Sequence, residues 1–288
     1  MSFGIALAGG GVRGAAHAGV LLALEEGGLR PSSIAGTSAG GMIAGLYACG
    51  VSAQKLCAVV RDMAAHGAKL ADLDEKGILA AAPTLLLRRP CAFSGLLKGN
   101  KMENWLEKAT GSLRMRDLKM RTVIPAVNLY TGHTIAFTNT LFGVKPVANT
   151  KWVTQGKVSE AMRATSALPV AFQPKKLNGM CLVDGGIADV LPVDLLAAAG
   201  EPNILAVDVS ADYTVPKSVD AMAVATHSLC IMETRLRECV TRGEKYLLNP
   251  ELPKTEGVLN LPQMVECMEA GYTSAKKALP ELRKIFRA

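Results

Sequence analysis

Residues 4–20 read GIALAGGGVRGAAHAGV. The apolar stretch at residues 3–8 predicts a buried strand. The glycines that follow predict a tight turn, and residues 15–26 a helix with His17, Val20, Leu21 and Leu24 on one face, stopped by Gly27 and Gly28. A second unit follows at once: a short strand at residues 33–36, a turn at 37–41 and a helix at 42–48 that ends near Gly50. Two consecutive strand–turn–helix units are the start of an open α/β sheet, with both turns at the carboxyl ends of adjacent strands.

The first turn carries Gly9, Gly11 and Gly14 at the GxGxxG spacing of a dinucleotide loop. A dinucleotide fold also needs an acidic residue at the end of the second strand, about 20 residues beyond the glycines, to bind the ribose hydroxyls. Gly36, Thr37 and Ser38 occupy that place, while Glu25 and Glu26 fall earlier, on the helix. A dinucleotide-binding oxidoreductase therefore lacks its specificity element. The second turn, GTSAG at residues 36–40, matches GxSxG, with Gly36 and Gly40 flanking Ser38 at a strand end and a helix start. Such an elbow puts Ser38 Oγ where a developing negative charge is favoured. A glycine-rich turn with an incidental serine is the plainer alternative. The backbone amides around Gly10, Gly11 and Val12 suit a transient oxyanion beside that serine.

A serine nucleophile needs a proton acceptor, and the chain has four histidines: His17, His66, His133 and His227. His17 lies on the apolar helix face, as packing residues do. His227 completes the chain order Ser, Asp, His of α/β-hydrolases, without a telling context of its own. Asp184 ends an apolar strand (180–183) in LVDGG, where Gly185 and Gly186 permit close approach of another element. Capping the next turn is its competing role.

Elsewhere, periodicity predicts helices at residues 52–66, 100–109, 158–163, 221–242 and 261–286, and strands at 122–128, 133–138 and 204–209. Residues 69–98 are the least regular and predict an insertion or lid. Within it an apolar segment at 78–87, broken by Pro83 and followed by Arg88 and Arg89, is either packed on the domain or laid at a membrane interface. The 288 residues, 49% hydrophobic and 20% charged, suit one α/β domain. No apolar run reaches the roughly 18 residues of a spanning helix and no leader pattern opens the chain, so a cytoplasmic location is expected. Seven cysteines without a CxxC pair predict free thiols rather than a disulfide framework. The net charge of +7 favours anionic partners; with 5% aromatic residues and no zinc-finger spacing, an anionic membrane surface fits better than nucleic acid.

Four motifs in order, GGGVRG (9–14), GTSAG (36–40), EAMRATSALPVAF (160–172) and DGG (184–186), resemble those of the patatin-like phospholipase family, most of all its small bacterial members. The resemblance runs over nearly the whole chain and is weakest at residues 69–98. It implies a single-domain α/β patatin-like three-layer sandwich over residues 1–288, with a largely parallel central sheet. It also implies a serine acyl hydrolase of phospholipase A, lysophospholipase or carboxylesterase type that needs no cofactor or metal. Ser38 would be the nucleophile and Asp184 the base of a Ser–Asp dyad, with oxyanion amides at Gly10, Gly11 and Val12 and Arg13 beside them. A carboxylate of ordinary pKa, about 3.9, is a poor base toward an alcohol, so burial of Asp184 is expected to raise it. Two positions depart from the family pattern: Asn128 in VNLYTG, where Asp is common, and Val190 after DGGIAD, where Asn is common. A catalytically idle lipid-binding or regulatory protein of the same fold is the other reading.

Overall fold

The computed structural model describes residues 2–77, 79, 94–210, 221–240, 243–254 and 260–286. Its centre is a run of short apolar strands. β1 (Gly4–Leu7), β2 (Ser33–Gly36) and a later strand, Ile204–Val207, are buried at every position, as strands covered on both faces must be. β1 pairs in parallel with both of the others, Gly4 opposite Ser33 on one side and Ile204 on the other.

The remaining strands are β3 (Arg121–Asn128), β4 (Thr134–Thr138), β5 (Thr150–Val153), β6 (Lys175–Leu177), β7 (Met180–Asp184), β8 (Ile204–Val207, introduced above) and β9 (Tyr246–Leu248). Among the described residues they form one nine-stranded sheet in the order β5-β4-β3-β2-β1-β8-β9, with β7 paired to β3 and β6 to β7. The five consecutive strands β3, β2, β1, β8 and β9 are all parallel. Among the described residues the antiparallel pairs are β3 with β4, β3 with β7 and β6 with β7. The expected largely parallel sheet flanked by helices is therefore what the chain forms.

The helices are α1 (Ala16–Glu26), α2 (Ala39–Ala48), α3 (Ala53–His66), α4 (Asn100–Ala109), α5 (Val158–Thr165), α6 (Val193–Ala198), α7 (Ala221–Val240) and α8 (Met264–Phe286). α1 is buried almost all round because α8 covers the side turned away from the sheet. The two helices meet backbone to backbone: a Cβ on Gly19 would stand 2.0 Å from Met268 O, and one on Gly271 2.3 Å from Ala16 O.

Several boundaries differ from the sequence reading. α2 begins at Ala39 rather than residue 42, directly after Ser38; Gly40 and Gly41 mask the start because glycine is a poor helix former. β5, β6, β9 and α6, of three to six residues, were not expected, being too short to show a period. Half of the proposed insertion at 69–98 falls outside the described residues, as does the apolar segment at 78–87 apart from Leu79. Its flanks are held: the Asp72 carboxylate accepts from the N–H groups of Gly99, Asn100 and Lys101 at the start of α4.

Candidate active site

The elbow at GTSAG is made by close packing. A Cβ on Gly36 would stand 2.3 Å from Gly40 O, and one on Gly40 would stand 2.4 Å from Leu7 O, so both glycines are steric requirements. Between them Ser38 takes φ 53° and ψ −122°, a conformation that costs a non-glycine residue of order 1–3 kcal/mol. The turn is held from outside. Ser38 N–H donates to Thr165 Oγ1 at 2.9 Å, and Thr37 Oγ1 donates to the Asp189 carbonyl at 2.8 Å.

Strand order brings Asp184 to this elbow. β4 takes one edge of β3 through residues 123–127. On the other edge β2 pairs with the first part of β3, ending with Ala35 opposite Val123, and β7 pairs with the last part, with Asp184 opposite Ala126. β2 runs parallel to β3 and β7 antiparallel, so the two strands point at each other along one edge, and the turns that end them meet. Ser38 Oγ donates to Asp184 Oδ2 at 2.7 Å, and Gly186 N–H donates to Asp184 Oδ1 at 2.8 Å. Gly185 is required here, since a Cβ would stand 2.4 Å from Pro125 O.

Asp184 is buried, 1% exposed, and Ser38 is half-buried. Burial pushes its carboxyl up to about 6, against the opposing pull of the Gly186 N–H and the Ser38 hydroxyl. Asp184 is thus a stronger base than a solvated aspartate and still ionised at neutral pH.

The glycine loop lies against the elbow, with the Cβ position of Gly9 3.4 Å from Ser38 Cβ. It folds into a 3-10 turn (Gly11–Ala15), with Gly11 at φ 55°. Gly9 N–H donates to Val190 O and Arg13 N–H to Gly10 O. Between these two donors, the amides of Gly10, Gly11 and Val12 make no backbone hydrogen bond to the described residues. The Arg13 guanidinium binds the carbonyls of Val209 and Ser210, so it braces the loop against the end of β8. Gly14 lets the loop close on the elbow: a Cβ would stand 2.4 Å from Ala39 Cβ.

Three of the four histidines serve elsewhere. His17 is fully buried, its Nε2 bonded to Ala8 O, and burial lowers its pKa to about 4, so it is a neutral packing residue. His66 pairs with Asp62, and His133 Nδ1 lies 3.1 Å from Thr131 O. The two unusual positions have clear tasks. Asn128 Oδ1 accepts from the N–H groups of Tyr130 and Cys181, tying β3 to β7, and Val190 acts through its backbone bond to Gly9. Thr165, Asp189 and Glu233 are neighbours of the site that sequence reading did not single out. Thr165 stood unassigned inside the EAMRATSALPVAF stretch. The side chain of Asp189 is buried, with Oδ1 lacking a partner, and burial together with the charge of Asp194 pushes its pKa up to about 7.

Residues 5–197 match the family model described as Patatin-like phospholipase. An uncharacterized NTE family protein of Mycobacterium tuberculosis is 29% identical over 212 residues, covering 74% of this chain and 50% of that protein. Lysophospholipase NTE1 of Yarrowia lipolytica is 28% identical over 216 residues, or 75% of this chain and 13% of that protein. Among solved structures, VipD from Legionella pneumophila is similar with a TM-score of 0.49 and 15% identity, covering 97% of this chain and 67% of that one. The chain spans about half the length of the first curated relatives it matches.

Proposed function

From the fact that the chain belongs to the patatin-like phospholipase family, we propose that it is a serine acyl hydrolase acting on lipid or related acyl esters through a Ser38–Asp184 dyad. The observation that carries this reading is the 2.7 Å bond from Ser38 Oγ to a buried carboxylate of raised pKa.

In the proposed reaction Ser38 Oγ attacks the ester carbonyl carbon while its proton passes to Asp184 Oδ2. The carbonyl oxygen becomes an oxyanion, held by the amides of Gly10, Gly11 and Val12, which need not reorganise to receive it. Asp184 then gives the proton to the departing alkoxide, and an acyl-Ser38 ester remains. Water attacks that ester, passing a proton to Asp184; collapse returns it to Ser38 Oγ and frees the fatty acid. No third residue is needed as base because the carboxylate touches the nucleophile directly. The similarity to a lysophospholipase and the family description support a lipid ester as substrate, and the +7 charge supports approach to an anionic membrane surface.

A panel of short-chain acyl esters, lysophospholipids and diacyl phospholipids, assayed with wild type and Ser38→Ala, tests the proposal. Turnover of at least one ester class that falls by about 10³-fold or more in Ser38→Ala is expected. Turnover that survives the substitution contradicts the assignment, and vesicle binding without hydrolysis of any ester points to the idle lipid-binding reading.

A further inference from the structure

A second carboxyl reaches the catalytic aspartate from another element. Glu233 stands on α7, the helix that packs against the short turn Gly185–Ile187 immediately after Asp184. A Cβ on Gly186 would lie 3.2 Å from Asp184 Oδ1 and 3.2 Å from Glu233 Oε1. The two carboxyls therefore converge on one glycine, Asp184 from the sheet and Glu233 from the helix. The oxygen of Asp184 on this side is Oδ1; Oδ2, on Ser38, is left for the reacting proton.

We propose that Glu233 is a positioning residue for this reaction, acting through Asp184: its negative charge favours movement of charge off Asp184 and onto the substrate as Ser38 attacks. This rests on the Ser–Asp reading above. At rest the site's negative charge is on Asp184, beside Glu233. When the Ser38 proton reaches Oδ2, Asp184 becomes neutral and the charge reappears on the carbonyl oxygen at the glycine loop. An ionised Glu233 therefore repels the ground state more than the transition state, and only such a difference accelerates the chemical step.

The described groups around Glu233 leave this repulsion in place. On its own helix Cys230 lies one turn away, its thiol pushed up by burial and by Glu233. Arg237, the next turn on, donates to Asp208 Oδ2 at 3.1 Å, at the end of β8. From the turn below, Asp184 is the facing titratable group. Burial, and then the charge of Asp184, push the Glu233 carboxyl up to about 7, so its charge switches on across neutrality.

The test compares kcat/KM against pH for wild type and Glu233→Gln on one hydrolysed acyl ester. Wild type is expected to rise in two steps, near 6 and near 7, following the two carboxyls. Glu233→Gln should show the lower step alone and a plateau about 3- to 10-fold lower above pH 8, with Glu233→Asp restoring the second step. A merely structural role would lower the profile by one factor at every pH and keep both steps. Independently of turnover, ¹³C NMR titration of Glu233 should show its midpoint falling toward that of an ordinary glutamate in Asp184→Asn. A two-step profile retained in Glu233→Gln, or a Glu233 midpoint unmoved by Asp184→Asn, overturns the proposal. Wild-type turnover in Ser38→Ala overturns instead the dyad reading, while the NMR titration still reports on the pair.

Discussion

In the proposed mechanism Ser38 and Asp184 act in strained or desolvated states that their neighbours maintain. Thr165 Oγ1 is the acceptor for the Ser38 amide, so Thr165→Val leaves a part-buried N–H without that partner and frees a positive-φ elbow to relax. The expected result is a fall of about tenfold in kcat with little change in KM, and a stability loss of about 1–3 kcal/mol by denaturant titration. Asp189 titrates in the opposite sense to a salt-bridged aspartate. Its folded pKa, about 7, lies above the ordinary 3.8, so the folded state holds a proton that the unfolded chain gives up, and stability drains away as pH rises through that window. Asp189→Asn should therefore raise Tm relative to wild type at pH 8, and the difference should shrink toward pH 4; a Tm gain that is the same at both would refute it. At this scale the sequence was informative where the signal is local: GTSAG and DGG mark a serine and a carboxylate at strand ends, and the structure brings those two side chains together. Thr165 and Glu233 carry no such mark, because each reaches the site by tertiary packing from a helix distant in the chain.

At the scale of elements, the site depends on two strands sharing one edge of β3. Gly185 is where β7 turns away from that edge, and a methyl there would meet Pro125 O. Gly185→Ala should destabilise the protein by about 1–3 kcal/mol and reduce turnover as well, since it displaces Asp184. Gly271→Ala provides the contrast. It pushes α8 off α1 at Ala16, outside the Ser38–Asp184 contact itself, and should lower Tm by a similar free energy while the protein that remains folded keeps its kcat. Equal loss of kcat in both variants would mean that the α1–α8 contact also positions the site. The parallel core was legible because β1, β2 and β8 are continuous apolar runs that end in glycine or begin a turn. The edge strands β5, β6 and β9 were not, since three or four residues give no pattern to count, and β7 could be read as a strand without revealing which neighbour it pairs with.

For the molecule as a whole, the proposed function would have a lipid ester drawn from a membrane or a micelle, and among the described residues no helix is long and apolar enough to cross a membrane. Under that proposal, attraction to an anionic surface would bring the protein to its substrate. With a net charge of +7, sedimentation with phosphatidylserine-containing vesicles should exceed that with phosphatidylcholine vesicles and should fade as salt is raised from ~0.05 to ~0.5 M, where the screening length drops to a few ångströms. Binding indifferent to lipid charge and to salt would assign the attraction to apolar contacts. The central claim is narrower than membrane binding: one serine, activated by one buried carboxylate, carries the chemistry. It is tested most directly by treating the protein with a fluorophosphonate probe and locating the adduct by peptide mass spectrometry. A single adduct on Ser38, absent in Ser38→Ala and formed much more slowly in Asp184→Asn, is the predicted result; an adduct elsewhere, or labelling of Ser38→Ala at the wild-type rate, would contradict it.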